Sequence, residues 1–408
     1  MSDTSTEARV PELWAGTDAG KGHHHCVVID AEGQRKLSRR VANSEPELLQ
    51  LISDVLALGQ DVTWAIDLNA GGAALLIALL VNHGQKLLYI PGRTVHHASG
   101  SYRGDGKTDA KDAYIIADQA RMRRDLQPLQ HGDEIAVDLR ILTARRYDLA
   151  ADRTRAINRL RAQLLEYFPA LERAFDYSTC KGALVLLTGY QTPAALRRTG
   201  KSRLATWLKN RKVRSSVAVA ATALEAAEAQ HTTVPGEKTA AGMVARLARQ
   251  VLSLNEEIAE TDKLIEGRFR DHRHAEVILS MPGLGPLLGA ELVAITGGDL
   301  EVFGTADRLA AVAGLAPVPR DSGRISGNLR RPKRYSRRLL RLFFLSAQVA
   351  ARWCPISKKF YERKRGEGKN HKQAVLALAR RRLNVLWALI RDGRTFTAGP
   401  PNFDAAAA

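Results

Sequence analysis

Apolar residues in the first 125 positions fall into short runs that alternate with longer stretches at helical spacing. Residues 13–17, 25–29 and 36–41 read as three strands, joined by turns that carry Gly20, Gly22 and Gly33. Ser44 precedes a helical stretch over 45–58, with Glu47 placed as a capping-box partner. Residues 62–68 give a fourth strand, 71–83 an apolar helix, 86–90 a fifth strand and 109–122 a further helix. Beyond Gly132 the period lengthens. Ile135, Leu139, Leu142, Leu149, Ile157, Leu160 and Leu164 share one helical stripe that ends at Phe168-Pro169, since proline cannot continue it. Val244, Leu247, Val251, Leu254, Ile258 and Leu264 mark a second long helix over 239–270. Two such stripes predict an antiparallel pair or a dimerising coiled coil. The stretch 179–234 between them is Ala-rich, basic and mostly helical in pattern.

Three strands, helix, strand, helix, strand, helix is the order of a ribonuclease-H-like fold. The rival doubly wound nucleotide fold lacks its glycine fingerprint, because neither GxGxxG nor GKS/GKT follows the first strand. In the ribonuclease-H order, Asp18 closes the first strand and Asp67 lies at the end of the fourth. Asp109 and Asp112 open the helix after the fifth strand, three apart and therefore on one face. Four carboxylates so placed can hold Mg²⁺ or Mn²⁺, hard ions that take oxygen ligands. His23-His24-His25 is better explained as a strand start, because adjacent residues cannot all face one ion.

Charge narrows the partners. The 408 residues carry 61 Lys+Arg against 43 Asp+Glu, a formal charge of +18, which favours a polyanion such as nucleic acid. The hydrophobic share of 45% is that of a folded protein, and the length allows two or three cores. Cys26, Cys180 and Cys354 form no CxxC pair, which argues against a zinc knuckle or a disulfide framework. No apolar run reaches the roughly 18 residues of a membrane span, and the N-terminus has no signal-like core, so a cytoplasmic, nucleoid-associated protein is expected.

Two further motifs bear on nucleic acid. Met281-Pro282-Gly283-Leu284-Gly285-Pro286 between helical stretches has the form of a helix-hairpin-helix, where Gly283 and Gly285 would let backbone N–H groups meet a phosphate; an ordinary helix–helix turn has the same form. A Gly/Pro/Ser-rich loop over 313–327 then opens into a basic run. Arg320, Arg324, Arg330, Arg331, Lys333, Arg334, Arg337, Arg338 and Arg341 are nine cations against one acid, Asp321. A solvated helix face usually mixes both signs, so phosphate contact is expected here. Ser322 sits on this loop as a candidate nucleophile, with guanidinium groups placed to stabilise transition-state charge. Most serines in such loops are turn residues. Lys358, Lys359, Arg363, Lys364, Arg365 and Arg380 to Arg382 add a basic set near the C-terminus.

Taken together, these motifs resemble the DEDD-type insertion-sequence transposases, relatives of the Piv DNA invertase that include the bridge-RNA-guided recombinases. The likeness rests on Gly16-Thr17-Asp18, Lys107-Thr108-Asp109-Ala110-Lys111-Asp112-Ala113, Met281-Pro282-Gly283-Leu284-Gly285, Ala313-Gly314-Leu315-Ala316-Pro317 and Asp321-Ser322-Gly323, and spans about 13–393. It implies a RuvC-like domain over 11–130, a helical coiled-coil segment over 131–272 and a mainly α transposase domain over 273–395, between a disordered N-terminus (1–10) and tail (396–408). It implies metal binding by Asp18, Asp67, Asp109 and Asp112, and a serine–DNA intermediate on Ser322. Donor and target DNA, a structured noncoding guide RNA, and dimers and tetramers follow from the same likeness. One position departs: the second acid is usually Glu, and Asp67 is a methylene shorter. Two rival readings differ in outcome. A RuvC-like junction nuclease using water would leave hydrolysed ends and no adduct, and a non-catalytic scaffold would bind without strand chemistry.

Overall fold

The structure, a computed structural model, describes residues 13–103, 106, 108–129, 133–324, 326–330 and 332–397. The expected disordered N-terminus, most of the expected tail, Lys107 and Arg331 lie outside the described residues. The chain forms two compact units, 1–134 and 135–408.

The first unit is a mixed α/β layer structure. Its strands are β1 (Leu13–Ala19), β2 (His23–Ile29), β3 (Arg35–Ala42), β4 (Val62–Ile66), β5 (Lys86–Tyr89) and the short β6 (Gln127–Pro128). They form one sheet in the order β3-β2-β1-β4-β5-β6. β1 pairs antiparallel with β2 and parallel with β4, and β4 pairs parallel with β5. Alternation along the strands sorts side chains to two cores. Leu13, Ala15, Cys26, Val28, Trp64 and Ile66 face helices α1 (Glu45–Leu58) and α2 (Ala74–Asn82). Trp14, Val27, Ile29 and Ala65 face α3 (Gly92–Ser99) and α4 (Asp109–Met122) on the other side.

The sequence-based order of elements is present, with three differences. Ser44 stands at the N-cap of α1 but its side chain makes no capping bond, so the expected capping box is not formed. Residues 71–73 make a 3₁₀ turn before α2. Helix α3, which the apolar pattern does not announce, lies between β5 and α4.

The second unit is built on two 34-residue helices, α5 (Glu134–Tyr167) and α10 (Glu237–Arg270). Arg268 pairs with Asp138 at 2.7 Å, Arg146 with Asp262, Arg145 with Glu257 at 3.2 Å, and Arg153 with Asn255. Numbers rise on one helix as they fall on the other, so within this chain the two run antiparallel. Each end of the pair carries its own core. At one end α6 (Pro169–Ala174), α7 (Lys181–Gly189), α8 (Pro193–Asn210) and α9 (Ser216–Glu228) enclose Leu160, Leu164, Leu186, Leu204, Ala223 and Val244. At the other, α11 (Ala275–Ser280), α12 (Pro286–Thr296), α13 (Ala306–Val312), α14 (Arg337–Trp353), α15 (Pro355–Gly366) and α16 (His371–Asp392) enclose Leu139, Phe269, Val293, Leu342, Phe343 and Leu383. A two-stranded hairpin, β7 (Val318–Pro319) and β8 (Leu329–Arg330), carries the Gly/Pro/Ser-rich loop. Among the described residues no single helix is long and apolar enough to cross a membrane.

Candidate active site

The carboxyl ends of β1 and β4 are neighbours, because Thr17 pairs with Ile66 in the parallel ladder. The residues that follow this pair are both aspartates, Asp18 on β1 and Asp67 just past the end of β4. Asp67 Oδ1 accepts the Ala19 backbone N–H at 3.2 Å, which ties its carboxylate to the end of β1. Helix α4 brings the other two acids. It crosses β1 at Gly16, where a Cβ would stand 2.3 Å from both the Ala113 carbonyl oxygen and the Ala117 nitrogen. Only glycine permits so close an approach of helix to strand. Tyr114 donates its hydroxyl to the Gly33 carbonyl at 3.2 Å, and Arg121 bonds the Ala31 carbonyl at 3.0 Å, so the β2–β3 turn also holds the helix. Thr108 caps α4 by accepting the Lys111 N–H at 3.2 Å. Asp109 and Asp112 fall in the first turn, where the helix dipole favours negative charge.

Asp18, Asp67 and Asp112 line one cleft of about 350 Å³, together with Gly92, His96 and Lys111. Asp109 is exposed and does not line this cleft; its charge acts on His25, the β2 partner of Asp18. The first turn of α4 thus straddles β1, with Asp112 toward β4 and Asp109 toward β2. Burial pushes the Asp67 carboxyl above its ordinary value, backbone N–H bonds from Ala19 and from Asp67 itself oppose this, and the charge of Asp112 adds to the rise. A cation in the cleft would relieve both the burial of charge and the like-charge repulsion, and the donors are hard oxygens of the kind Mg²⁺ or Mn²⁺ takes. The spacing is wider than a closed shell: among the described residues no three His, Cys, Asp or Glu side chains stand within reach of one ion.

Four cleft residues come from α3, which leaves no periodic signal in the sequence: Gly92, Val95, His96 and Ser99. A Cβ on Gly92 would lie 3.8 Å from Asp67 Oδ2, so this helix begins directly beside the carboxylate. Pro91 at its N-cap is the one local sign of a helix start.

In the second unit, Ser322 is exposed in the loop between β7 and β8, and its hydroxyl makes no hydrogen bond among the described residues. The loop is shaped by Asn328, whose N–H donates to Asp321 Oδ1 at 3.0 Å, and by Arg320 N–H on the Asn328 carbonyl at 2.9 Å. Gly323 and Gly327 take positive φ of 49° and 77°, conformations that favour glycine. Arg320, Arg324, Arg330, Lys333, Arg334 and Arg337 are exposed around it.

Arg338 behaves differently from the expectation. Its guanidinium donates to the buried Glu291 at 3.1 Å and to Thr143 Oγ1 at 3.2 Å, and lies 4.5 Å over the Tyr147 ring. Tyr147 donates to Glu291 at 2.6 Å, and Arg341 bonds the Tyr147 hydroxyl at 2.9 Å. The charge of Arg338 is therefore used inside the unit, on a carboxylate whose burial would otherwise go uncompensated. A lone Glu in the apolar stretch Pro286–Thr296 is the sequence signal for this network.

The two turn glycines also divide. Gly283, at φ 81°, packs its backbone against α14, where a Cβ would meet the Ser346 carbonyl oxygen at 2.7 Å. The buried Arg382 holds the same turn through the Pro282 carbonyl and Ser346 Oγ, so it is not available to a phosphate; burial pushes its pKa down to about 10. Gly285 caps α12, with nothing within 4 Å of where its Cβ would stand.

An acid-lined cleft at the carboxyl ends of a ribonuclease-H-ordered sheet, followed by long helices and a basic loop, defines a phosphodiester-handling class of protein. Comparison with known proteins specifies it. Residues 15–169 match a DEDD transposase family described as "Transposase", and residues 275–362 match "Transposase IS116/IS110/IS902 family". The chain is 67% identical over 382 residues to a 42 kDa protein of insertion element IS900 from Mycobacterium paratuberculosis, covering 93% of this chain and 96% of the other. It is 56% identical to a 44.8 kDa protein of insertion element IS116 from Streptomyces clavuligerus, over 96% of this chain and 98% of the other. It is also 37% identical over 130 residues, 31% of this chain and 39% of the other, to a pilin gene-inverting protein of Moraxella bovis. The chain belongs to the IS116/IS110/IS902 family of transposases, enzymes of DNA recombination.

Proposed function

We propose that this transposase cuts and rejoins DNA through a covalent bond to Ser322, with the Asp18–Asp67–Asp112 cleft holding Mg²⁺ or Mn²⁺ and Asp109 outside it. The observation that supports the reading best is the convergence of two strand-end aspartates and one helix-borne aspartate on a single cleft. When bound, a divalent ion withdraws charge from a phosphate and from the oxygen that leaves it.

The chain's own residues supply the rest. Ser322 Oγ bonds to phosphorus, the phosphorus–oxygen bond to one deoxyribose breaks, the serine proton leaves, and the released oxygen takes up a proton. Attack by the hydroxyl of another strand reverses these changes and returns Ser322. No water is consumed, so the phosphodiester count is conserved and no repair synthesis is needed. The exposed guanidiniums of Arg320, Arg324, Arg330 and Arg334 hold the strand's phosphates near the loop. A structured noncoding RNA acts as guide, and dimers or tetramers bring the acidic cleft of one copy to the serine of another.

The test is a reaction on labelled donor and target DNA stopped with denaturant. A labelled protein–DNA adduct is expected, absent in Ser322→Ala. Asp18→Asn and Asp112→Asn should each abolish strand joining in a folded protein. Hydrolysed ends with no adduct would turn the reading to a nuclease that uses water, and full activity in EDTA would remove the metal from it.

A further inference from the structure

Outside both stretches that match the family lies a segment with an unusual charge pattern. Residues 177–224 hold nine Lys or Arg and no Asp or Glu, with eight of the nine between 197 and 214. They ride on α8 and the turn after it. Arg197 is used internally, on the Ala227 and Gln230 carbonyls. Arg198, Lys201, Arg203, Lys209, Lys212 and Arg214 are exposed, and none of them has a carboxylate partner among the described residues. Lys212 adds a further point. At φ 59° it is the one non-glycine residue with positive φ among those described, at a helix end where glycine would cost less.

The same face carries an aromatic surface. An open cleft of about 690 Å³ is lined by Arg198, Arg203, Thr199, Ser202 and Trp207, among others. Trp207 is locked in place. A Cβ on Gly189 would lie 2.4 Å from its ring, Tyr190 meets it edge-on at 5.1 Å, and the Arg211 guanidinium stacks 3.7 Å from its ring centre. Between the cations the lining is neutral and hydrogen-bonding, from Thr206 and Asn210. Gly200, at φ 72° and ψ 163°, breaks α8 beside the cleft, so the two halves of the helix turn different residues toward it.

We propose that this face of α8 binds an unpaired stretch of nucleic acid, with phosphates on the Arg and Lys side chains and one base against Trp207. A bare cationic patch would suit any polyanion. A fixed indole flanked by guanidiniums favours a strand whose bases are not already stacked in a duplex. RNA and DNA share this chemistry, and the site uses no residue of the acidic cleft or of the Ser322 loop.

The test measures binding of the full chain to fluorescent 12-nucleotide single strands, one RNA and one DNA of the same sequence, and to the matching duplex. In Arg198→Glu/Arg203→Glu, whose side chains are exposed, single-strand affinity should fall at least about 10-fold and the salt slope should flatten by roughly 0.7 for each phosphate no longer neutralised. Trp207→Leu should weaken single strands by about 5- to 150-fold and leave duplex affinity unchanged. A tighter RNA or DNA arm identifies the sugar that the site takes. Unchanged single-strand binding in the double charge reversal overturns the proposal, as does an equal loss for duplex and single strands in a folded Trp207→Leu. Adduct formation at Ser322 is scored separately, so failure there leaves this result standing.

Discussion

Gly16→Ala isolates the packing that assembles the acidic cleft. The added methyl would start 2.3 Å from the Ala113 carbonyl oxygen and the Ala117 nitrogen and 2.8 Å from Ala117 Cα, all of them backbone atoms. Reaching even a 3.0 Å separation requires a shift of about 0.7 Å at the two closest points. Neither β1, buried and paired on both sides, nor α4, held by Tyr114 and Arg121, can yield without breaking other interactions. Overpacking of this kind costs about 1–3 kcal/mol and sometimes more. The helix that must move carries Asp112 and Asp109, while Asp18 and Asp67 stay on the sheet. A displacement near 1 Å in a catalytic arrangement can cost on the order of 100-fold in rate. Urea unfolding of the full chain should therefore show the stability loss, and strand joining should fall about 100-fold even where the protein is still folded. Gly22→Ala is the control, because its Cβ would meet nothing within 4 Å. A Gly16→Ala protein with parental stability and full strand joining would refute the claim that this close approach sets the site.

Other outcomes follow from the same geometry. The Asp67 carboxyl is raised in the fold, so its ionisation opposes folding; the penalty is absent below the ordinary carboxylate range and grows as pH rises through the raised value. Asp67→Asn should then be more stable than the parent at neutral pH and lose that advantage in acid, as thermal unfolding across pH would report, while strand joining is lost. Arg338→Ala strips a hydrogen-bonded cation from the buried Glu291 and should cost about 1–3 kcal/mol, against roughly 0.5 or less for the exposed Arg337→Ala, measured by urea unfolding. Duplex binding by a protein with Arg320, Arg324, Arg330 and Arg334 changed to Ala should show a salt slope shallower by roughly 0.9 for each phosphate no longer neutralised; an unchanged slope would make those arginines a solvated face.

Much of the first unit could be read from residue order, because period-2 and period-3.6 patterns are local. Strands β1 to β5, helices α1, α2 and α4, and the ends of both long helices appear within a few residues of their expected places. Helix α3 escaped because it is short and mostly exposed, with Val95 alone buried, and so leaves almost no apolar pattern. The cleft residues Gly92, Val95, His96 and Ser99 escaped with it. Charge was the least legible property. The sequence set nine cations between 320 and 341 side by side, yet nothing local distinguishes Arg338, which meets Glu291 from 47 positions away, from Arg337, which faces solvent.

By itself, then, the sequence determined the kind and order of the elements, the placing of an aspartate at the end of β1 and beyond β4, and a surplus of positive charge. These depend on neighbours in the chain. Tertiary structure decided which of those residues meet. The parallel register of β1 and β4 puts Asp18 beside Asp67, and the bare backbone of Gly16 lets α4 bring Asp112 into their cleft while leaving Asp109 toward His25. It also divided the cations into those neutralised inside the unit and those left for a polyanion, because burial of a carboxylate far away in sequence fixes where a guanidinium must go.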